Sequence, residues 1–422
     1  MLLTSIVVAS LIISLAIVQL GLAIYFYWIV KRGAKPTQLD AKDQVLASVV
    51  VSVRGCDPSL RTSLAALLDQ DYRQYDVHVV VDSRSDCAWN VVQEIKENSD
   101  PNFRLTVHEM RTPAKTCGLK CNALVQALEN LDPKTRYLVL MDADVTPHKT
   151  WLQEVTAPLL DKEIGVVTGN QWFEPKHNAS VGSWIRSIWN AGAIVPTAMF
   201  HNPWAGTFAM RMEDVARAKL SDVWKRSVVD DGPIRRVLKP LGLKIHFQPS
   251  LIMVNREECT FDYVNTYVTR MLTWSKLYEK TFINTVIHSL FANVLLLAAF
   301  LLTFTATTAV MWLPALIALG AIVFKSITSA FGYTIVRAGV NQACRLRGEE
   351  LDRLSVIETV RLSLLLPITI IVYGISCFRA LVARQVKWRE ITYEVKSRSH
   401  VRMLQYTPML AEPEQAPSKV SI

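Results

Sequence analysis

The 422-residue sequence lacks the patterns that mark several common classes of protein. Its seven cysteines form no CxxC pair, which argues against a metal cluster and suits a reducing compartment. No GxGxxG pattern follows the first predicted strand, so a Rossmann oxidoreductase is not expected. Motifs of nucleic-acid-binding proteins are also missing, so no nucleic-acid partner is expected for the net charge of +9. The basic residues next to apolar segments instead indicate contact with anionic lipid.

Charged side chains are absent from the first apolar segment, residues 2–30. A helix of this length exceeds the roughly 20 residues that cross a bilayer. A signal peptide is the alternative, but its apolar region is about 7–15 residues, follows a basic start and ends in a small-residue cleavage site. We therefore expect an uncleaved anchor over residues 1–31. Lys31, Arg32 and Lys35 follow it, so the positive-inside rule predicts a cytoplasmic domain next, on a bacterial inner membrane or an endomembrane.

Three further apolar segments lie towards the C-terminus, within a predicted membrane region over residues 282–383. They cover residues 282–306, 309–336 and 362–382. Residues 384–422 are predicted to form a basic cytoplasmic tail whose last dozen residues are disordered. Three full crossings would place this basic tail outside, against the positive-inside rule. One segment is therefore expected to be re-entrant or interfacial, and the sequence does not indicate which.

The region between the membrane segments, residues 32–281, alternates between predicted strands and helices. The strands cover residues 45–53, 77–81, 103–107 and 137–141, and the helices cover residues 61–68, 89–96 and 122–128. Strands separated by helices predict a mostly parallel α/β sheet. Such sheets bind ligands beyond the carboxyl ends of their strands, and Asp82 and Asp142 stand at two of these ends.

Two acids one residue apart, Asp142 and Asp144, follow the fourth predicted strand. Two carboxylates delivered by a buried strand are costly without a cation to neutralise them. Hard divalent cations take oxygen ligands, and Mg²⁺ commonly binds one or two carboxylates together with substrate phosphates. The pattern therefore predicts a site for a divalent cation such as Mg²⁺ beside substrate phosphates. The alternative is a turn that carries two solvated acids.

Residues 51–60, 68–72 and 79–86 resemble the start of a family 2 glycosyltransferase domain, and are most similar to the ceramide glucosyltransferase branch. The resemblance implies a GT-A fold, a Rossmann-like α/β fold, and a UDP-sugar donor. In this family a first aspartate lies near the uracil and ribose. Either Asp82 or Asp86 fits that role, and the pattern does not choose between them.

Two later segments match further motifs of the family. Residues 118–124 resemble the segment near the donor diphosphate, with Lys120 as its lysine, although a surface lysine at a helix start is the alternative. Residues 228–233 resemble the motif whose second acid is the general base, which makes Asp231 the candidate and leaves Asp230 on the acceptor side. Inverting transfer needs a carboxylate to take the proton of the acceptor hydroxyl. The two acids could also cap a helix that begins near Pro233, and both roles are compatible.

Residues 270–274 resemble the family pattern Q/R-x-x-R-W, with Arg270 and Trp274 as the matching donor-binding residues. Thr273 replaces the arginine that commonly helps to hold the diphosphate, and Arg270 or Lys276 is expected to compensate. Arg270 and Trp274 share one face of a helix, so packing at the bilayer interface is the alternative.

The acceptor side is predicted from weaker features. Residues 201–211 resemble the segment that borders the acceptor site, where Gly206 permits close backbone approach and Trp204 stacks on a sugar or fills the core. Trp172, Trp184 and Trp189 are expected to lie in the membrane interface. Residues 388–393 look like the W-R-x-x-x-Y tail of lipid-glycosylating relatives.

Together the motifs predict a membrane-bound inverting glycosyltransferase that moves a sugar from a UDP-sugar to a lipid in the bilayer. A ceramide, a diacylglycerol or a hopanoid-like lipid is the expected acceptor. A processive polysaccharide synthase is the nearest alternative, against which the few membrane segments and Thr273 argue. A non-catalytic membrane scaffold is the alternative of another class, and the retained acids argue against it.

Overall fold

The structure is a computed structural model that describes residues 1–35, 38–100 and 103–409. The chain divides into two compact units. The sheet unit contains Gly33–Gln171, Thr197–Asn255 and the chain from Ala383 onward. The helix unit contains Met1–Arg32, Trp172–Pro196 and Arg256–Val382. The predicted disordered C-terminal end lies outside the described residues.

Helices and strands alternate through the first half of the chain, as the sequence predicts. The α-helices of the described residues are α1 Leu2–Gly33, α2 Leu60–Leu68, α3 Cys87–Asn98, α4 Leu119–Leu128, α5 Trp151–Thr156, α6 Val181–Phe200, α7 Met212–Arg217, α8 Leu220–Trp224, α9 Ile234–Leu238, α10 Phe261–Tyr278, α11 Phe282–Thr308, α12 Trp312–Arg345 and α13 Val356–Val382. The strands are β1 Ala47–Val53, β2 Tyr75–Val81, β3 Leu105–Glu109, β4 Tyr137–Asp142, β5 Ile164–Phe173, β6 Thr207–Arg211, β7 Lys244–Asn255, β8 Gln385–Trp388, β9 Ile391–Ser397 and β10 His400–Gln405.

The sheet unit is built on a seven-stranded sheet with the order β3-β2-β1-β4-β6-β5-β7. Strands β1 to β4 pair in parallel, and β6 runs antiparallel to β4 and β5. The valine-rich run of β1 is buried almost throughout, as expected of a strand covered by helices on both faces. The chain moves outward from β1 through β2 to β3 and then returns to β4 on the other side of β1. The carboxyl ends of β1 and β4 therefore flank the switch point at which such sheets bind ligands. The predicted α/β fold class is confirmed.

A second, three-stranded antiparallel sheet of order β10-β9-β8 follows the last apolar helix. It belongs to the sheet unit, and the sequence analysis did not anticipate it in the predicted basic tail. Tyr393 of β9 is fully buried, and its hydroxyl accepts a hydrogen bond from the backbone N–H of Leu119 at 3.2 Å. The backbone N–H of Met403 donates to the carbonyl of Lys115 at 2.8 Å. These contacts tie the end of the described chain to the start of α4.

The helix unit contains four helices, α1, α11, α12 and α13, that are long and apolar enough to cross a membrane. Lys325 interrupts the apolar stretch of α12. The ammonium of Lys325 donates to Gln19 at 2.5 Å and to Ser329 at 2.6 Å, and Gln19 in turn lies 3.0 Å from His288. A charge within an apolar bundle is tolerated when neighbouring helices supply polar partners, as they do here.

Two of the three tryptophans expected in the membrane interface are core residues instead. Trp172 and Trp184 are fully buried inside the helix unit, so the interfacial expectation is wrong for both. The indole N–H of Trp172 donates to Glu174 at 2.7 Å, and its ring lies 5.6 Å from that of Tyr333. Glu174 also pairs with a buried arginine of α12. This polar network therefore holds the Trp172 ring in the protein interior. Trp189 is half-buried and stays compatible with its expected position.

Candidate active site

Three of the predicted site residues meet at one point of the sheet unit. Asp142 is the last residue of β4, and Lys120 lies in the first turn of α4. The Lys120 ammonium lies 2.5 Å from a carboxylate oxygen of Asp142 and 2.8 Å from one of Asp230. Burial alone would lower the pKa of Lys120, but the two carboxylates raise it above its ordinary value. Lys120, predicted to bind the donor, is therefore a largely buried cation that bridges two acids, and the alternative of a surface lysine does not hold.

Glycines explain how these elements approach so closely. A Cβ at Gly118 would lie 2.1 Å from the carbonyl oxygen of Val228, so only glycine lets the start of α4 lie against the segment that carries Asp230. The backbone of Asp230 is fixed in turn, since its carbonyl accepts a hydrogen bond from the indole of Trp224 at 2.9 Å. Local packing therefore requires glycine at Gly118, the first residue of the segment that resembles the family's diphosphate motif.

A second glycine brings the acceptor-side loop against the same acids. A Cβ at Gly206 would lie 2.1 Å from the ring of Trp204 and 2.7 Å from a carboxylate oxygen of Asp142. Trp204 is only half-buried, and its backbone N–H donates to the hydroxyl of Thr168 at 2.9 Å. Its ring packs at the edge of the core and also borders the site. Both predicted roles of Trp204 therefore stay open.

Asp231 lies beside this cluster in an environment that favours its protonated form. Burial is the first cause, and the neighbouring charge of Asp230 is the second; together they raise the pKa of Asp231 to about 7. Lys120 and a hydrogen bond from the backbone N–H of Ala205 oppose the shift. A carboxyl group with this pKa is close to the optimum for proton transfer near neutral pH.

Asp144 is the second acid of the pair after β4. Its carboxylate accepts hydrogen bonds from the amides of Gln171 at 3.2 Å and Asn255 at 3.4 Å. Burial and then the charge of Asp142 raise the pKa of Asp144 to about 6. Two acids that repel each other at the carboxyl end of a buried strand suit a divalent cation. Within residues 1–35, 38–100 and 103–409, no group of three or more His, Cys, Asp and Glu residues could hold a metal on its own.

The structure separates the two candidates for the first aspartate. Asp86 caps α3, where its carboxylate accepts the backbone N–H groups of Ala88 and Gly55, each at 2.9 Å. Asp82 follows β2 and pairs with Arg54, which follows β1. Asp86 therefore has a clear structural role. Asp82 is bound by groups that sequence reasoning missed.

Those groups come from the C-terminal segment. The Tyr406 hydroxyl donates to Asp82 at 3.2 Å, and the backbone N–H of Met409 donates to it at 3.1 Å. The Arg389 guanidinium pairs with Asp57 at 2.7 Å and also donates to the backbone carbonyl of Arg54. The likeness of residues 388–393 to a W-R-x-x-x-Y tail was the only signal in the sequence that pointed to this segment.

The remaining predicted donor-binding residues, Arg270 and Trp274, lie on α10 in the helix unit. Thr273 is buried there, and its hydroxyl donates to the carbonyl of Thr269 at 2.8 Å. Lys276 donates to the carbonyls of Ala380 and Leu381, at 3.0 and 2.7 Å, in the last turn of α13. The lysine expected to replace the missing arginine therefore caps a helix, a common role for a basic side chain at a helix C-terminus.

The sheet order, the acid pair after β4 and the second acid pair beside it define a GT-A glycosyltransferase. The chain belongs to glycosyltransferase family 21, whose family model matches residues 10–401. The family is thus family 21 and not family 2, which the motifs resemble. The predicted class of enzyme, a glycosyltransferase, is confirmed. No curated protein sequence matches the chain.

Solved structures with a similar arrangement include two glycosyltransferases. A Pyrobaculum calidifontis mannosyltransferase in complex with GDP-Man and Mn²⁺ is 16% identical, with 89% of this chain and 99% of that chain covered and a TM-score of 0.47. Mycobacterium tuberculosis glucosyl-3-phosphoglycerate synthase, in complex with Mn²⁺, UDP and phosphoglyceric acid, is 16% identical. That match covers 56% of this chain and 80% of the other, with a TM-score of 0.37.

Proposed function

We propose that the enzyme transfers a sugar from a UDP-sugar to a lipid acceptor with inversion at the anomeric carbon, with Asp231 as general base. The observation that carries this proposal is the buried cluster in which Asp231, with a pKa of about 7, lies beside Asp230 and Lys120. A carboxyl group with this pKa is about half ionised at neutral pH and is basic enough to accept a proton in the transition state. Family membership supports the reaction class.

The donor end of the site is proposed to use Asp142 and Asp144 to hold Mg²⁺ or Mn²⁺ together with the diphosphate. The cation, when bound, would supply charge neutralisation for the leaving diphosphate. Lys120 already pairs with both Asp142 and Asp230 in the free enzyme, as one cation between two carboxylates. It is therefore positioned to exchange a carboxylate for a phosphate oxygen when the donor enters, because both are anionic oxygen acceptors. Asp82 or Asp86 is proposed to meet the nucleoside.

The chemical step needs one proton acceptor and one leaving group. The acceptor hydroxyl oxygen attacks the anomeric carbon from the face opposite the diphosphate, and its proton passes to the Asp231 carboxylate. The new C–O bond forms as the bond between the anomeric carbon and the diphosphate oxygen breaks, and UDP leaves. Gly206 permits close approach of the loop beside Asp142, and Trp204 offers an apolar surface to a sugar ring.

A lipid is the proposed acceptor because the chain carries four helices of membrane-spanning length and apolar character. A lipid hydroxyl held at the bilayer surface needs only a site next to the membrane, whereas a growing polymer also needs a channel. Orientation of the sheet unit towards the cytoplasm is proposed from Lys31 and Arg32 after α1.

Product analysis tests the proposal. Purified protein in lipid nanodiscs containing ceramide or diacylglycerol would receive radiolabelled UDP-glucose, UDP-galactose or UDP-N-acetylglucosamine with Mg²⁺ or Mn²⁺. The expected result is label in a small, organic-soluble product that disappears in Asp231→Asn. Label in a long, water-soluble polymer would replace the lipid acceptor with a polysaccharide. Full transfer by Asp231→Asn would exclude Asp231 as the base.

A further inference from the structure

Residues 406–409 cover the predicted nucleoside end of the donor site. We call this segment the strap. It follows β10 and lies beyond the carboxyl ends of β1 and β2, the edge at which a parallel sheet binds its ligand. Its contacts reach both strand ends. The guanidinium of Arg54, after β1, donates to the carbonyl of Thr407 at 2.8 Å. Asp82, after β2, accepts the hydroxyl of Tyr406 and the N–H of Met409.

The strap and Arg54 together occupy both carboxylate oxygens of Asp82. One carboxylate oxygen of Asp82 accepts from Tyr406, and the other accepts from both Met409 and Arg54. Asp82 is 1% exposed, although it stands at the end of a strand on the ligand-binding edge of the sheet. A nucleoside could reach this carboxylate only if one of the strap contacts were broken.

The strap is anchored at the surface, whereas the segment before it is anchored by buried groups. Thr407 and Pro408 are exposed, and Tyr406 and Met409 are only half-buried. By contrast, the buried Tyr393 is bonded to the start of α4, and Arg389 is paired with the buried Asp57. The hydrogen bonds of the strap to Asp82 and Arg54 involve ionised groups and are stronger than neutral ones, but no side chain of the strap is buried. The strap can therefore leave the sheet edge while β8, β9 and β10 stay in place.

We propose that the strap is a gate on the donor site: it occupies the nucleoside position in the free enzyme and is displaced when the nucleotide binds. This inference rests on the proposed donor site at Asp82. Release of the strap would free the Asp82 carboxylate for the nucleoside, and the Arg54–Asp82 pair would remain to position that carboxylate. Strap and donor then compete for one place, so anything that loosens the strap strengthens nucleotide binding.

Two measurements on the full-length protein in nanodiscs test the gate. The first is the affinity for UDP, with Mn²⁺ present, of the wild-type protein and of Tyr406→Phe, which loses one hydroxyl bond to Asp82. We expect Tyr406→Phe to bind UDP about 10- to 100-fold more tightly, the range that one hydrogen bond to an ionised carboxylate represents. Tyr25→Phe, which removes the hydroxyl of an exposed tyrosine on α1, is the matched control and should bind as the wild type does.

The second measurement is amide hydrogen exchange of residues 406–409 in the wild-type protein. The gate requires faster exchange of the Met409 amide when UDP is added, because its bond to Asp82 breaks. Slower exchange with UDP, or weaker UDP binding by Tyr406→Phe, would show instead that the strap is a fixed wall of the donor site and would overturn the gate. Absence of UDP binding by every form, including wild type, would overturn the proposed donor and the gate with it.

Discussion

Asp230 and Asp231 are neighbours in the chain with different predicted roles, and their coupling gives a test that does not depend on losing activity. The charge of Asp230 is the second cause, after burial, that raises the pKa of Asp231 to about 7. Asp230→Asn removes that charge and keeps the shape of the side chain. It also frees Lys120 from Asp230, so the cation acts more strongly on Asp231. Both changes lower the pKa of Asp231.

The size of the effect follows from Coulomb's law. A unit charge about 6–10 Å away, at an effective dielectric constant of about 20, contributes about 1.7–2.8 kcal/mol. One pKa unit corresponds to about 1.4 kcal/mol, so the pKa of Asp231 should fall by about one to two units. The wild-type enzyme should lose kcat/KM about tenfold for each pH unit below about 7. In Asp230→Asn this loss should begin about one to two pH units lower.

The assay is the pH dependence of kcat/KM for sugar transfer, which reports the ionisations of the free enzyme. The position of the acidic limb can be read even if Asp230→Asn lowers the rate at every pH. A limb that stays near pH 7, or moves upward, would refute the assignment of that ionisation to Asp231. Lys120→Met is the opposite control, because loss of the cation should raise the pKa of Asp231 and move the limb to higher pH.

Four further predictions concern stability, the metal, the acceptor loop and α10. The pKa of Asp231 is higher in the folded protein than in the unfolded chain, so ionisation of Asp231 destabilises the fold as pH rises from 3.8 to about 7. Asp231→Asn should therefore be inactive yet melt at a higher temperature than the wild-type protein at pH 8. A lower melting temperature would contradict this. Asp144→Asn should abolish the Mn²⁺-dependent part of UDP binding in calorimetry, and unchanged metal dependence would remove Asp144 from the metal site. Gly206→Ala should remove transfer activity because its Cβ would clash with the Trp204 ring. The control Gly192→Ala, at a position with nothing within 4 Å, should retain activity. Equal activities of the two variants would refute the close approach of Gly206 to the Trp204 ring. Thr273→Arg should lower the melting temperature, since Thr273 is buried, and a gain in turnover would show instead that an arginine fits there.

The strands and their acids could be predicted from the sequence because both signals are local. The apolar run of β1 predicts a strand buried on both faces, and an acid directly after β4 lies at its carboxyl end in any parallel sheet. The bridge from Lys120 to Asp142 and Asp230 could be suggested only by resemblance. It depends on Gly118, whose missing side chain allows a contact more than a hundred residues apart in the chain.

Contacts that join distant segments explain what the sequence did not predict. Asp86 has a local role as the cap of α3, whereas Asp82 is distinguished by Arg54 and Tyr406, which are distant from it in the chain. Trp172 and Trp184 match the residue type of a membrane interface, and only the pairing of Trp172 with Glu174 shows that its ring is internal.

Contacts between distant segments also constrain the number of membrane crossings. Residues on both sides of α11–α13 belong to the one compact sheet unit. A compact unit lies on one side of a membrane, so we expect an even number of crossings between residues 282 and 382, with one of the three segments re-entrant or interfacial. Cysteines introduced at exposed positions in α3 and in β9 should therefore react with an impermeant maleimide from the same side.

The late position of β8–β10 in the chain has a consequence for how the enzyme is made. The ribosome completes the seven-stranded sheet by Asn255, but the buried Tyr393 and the Arg389–Asp57 pair come after α11, α12 and α13. The catalytic unit of a nascent chain is therefore incomplete until all apolar helices have been synthesised. We therefore expect sugar transfer to begin only after the apolar helices have been synthesised, and a product truncated within α12 or α13 would lack Tyr393, Arg389 and the strap.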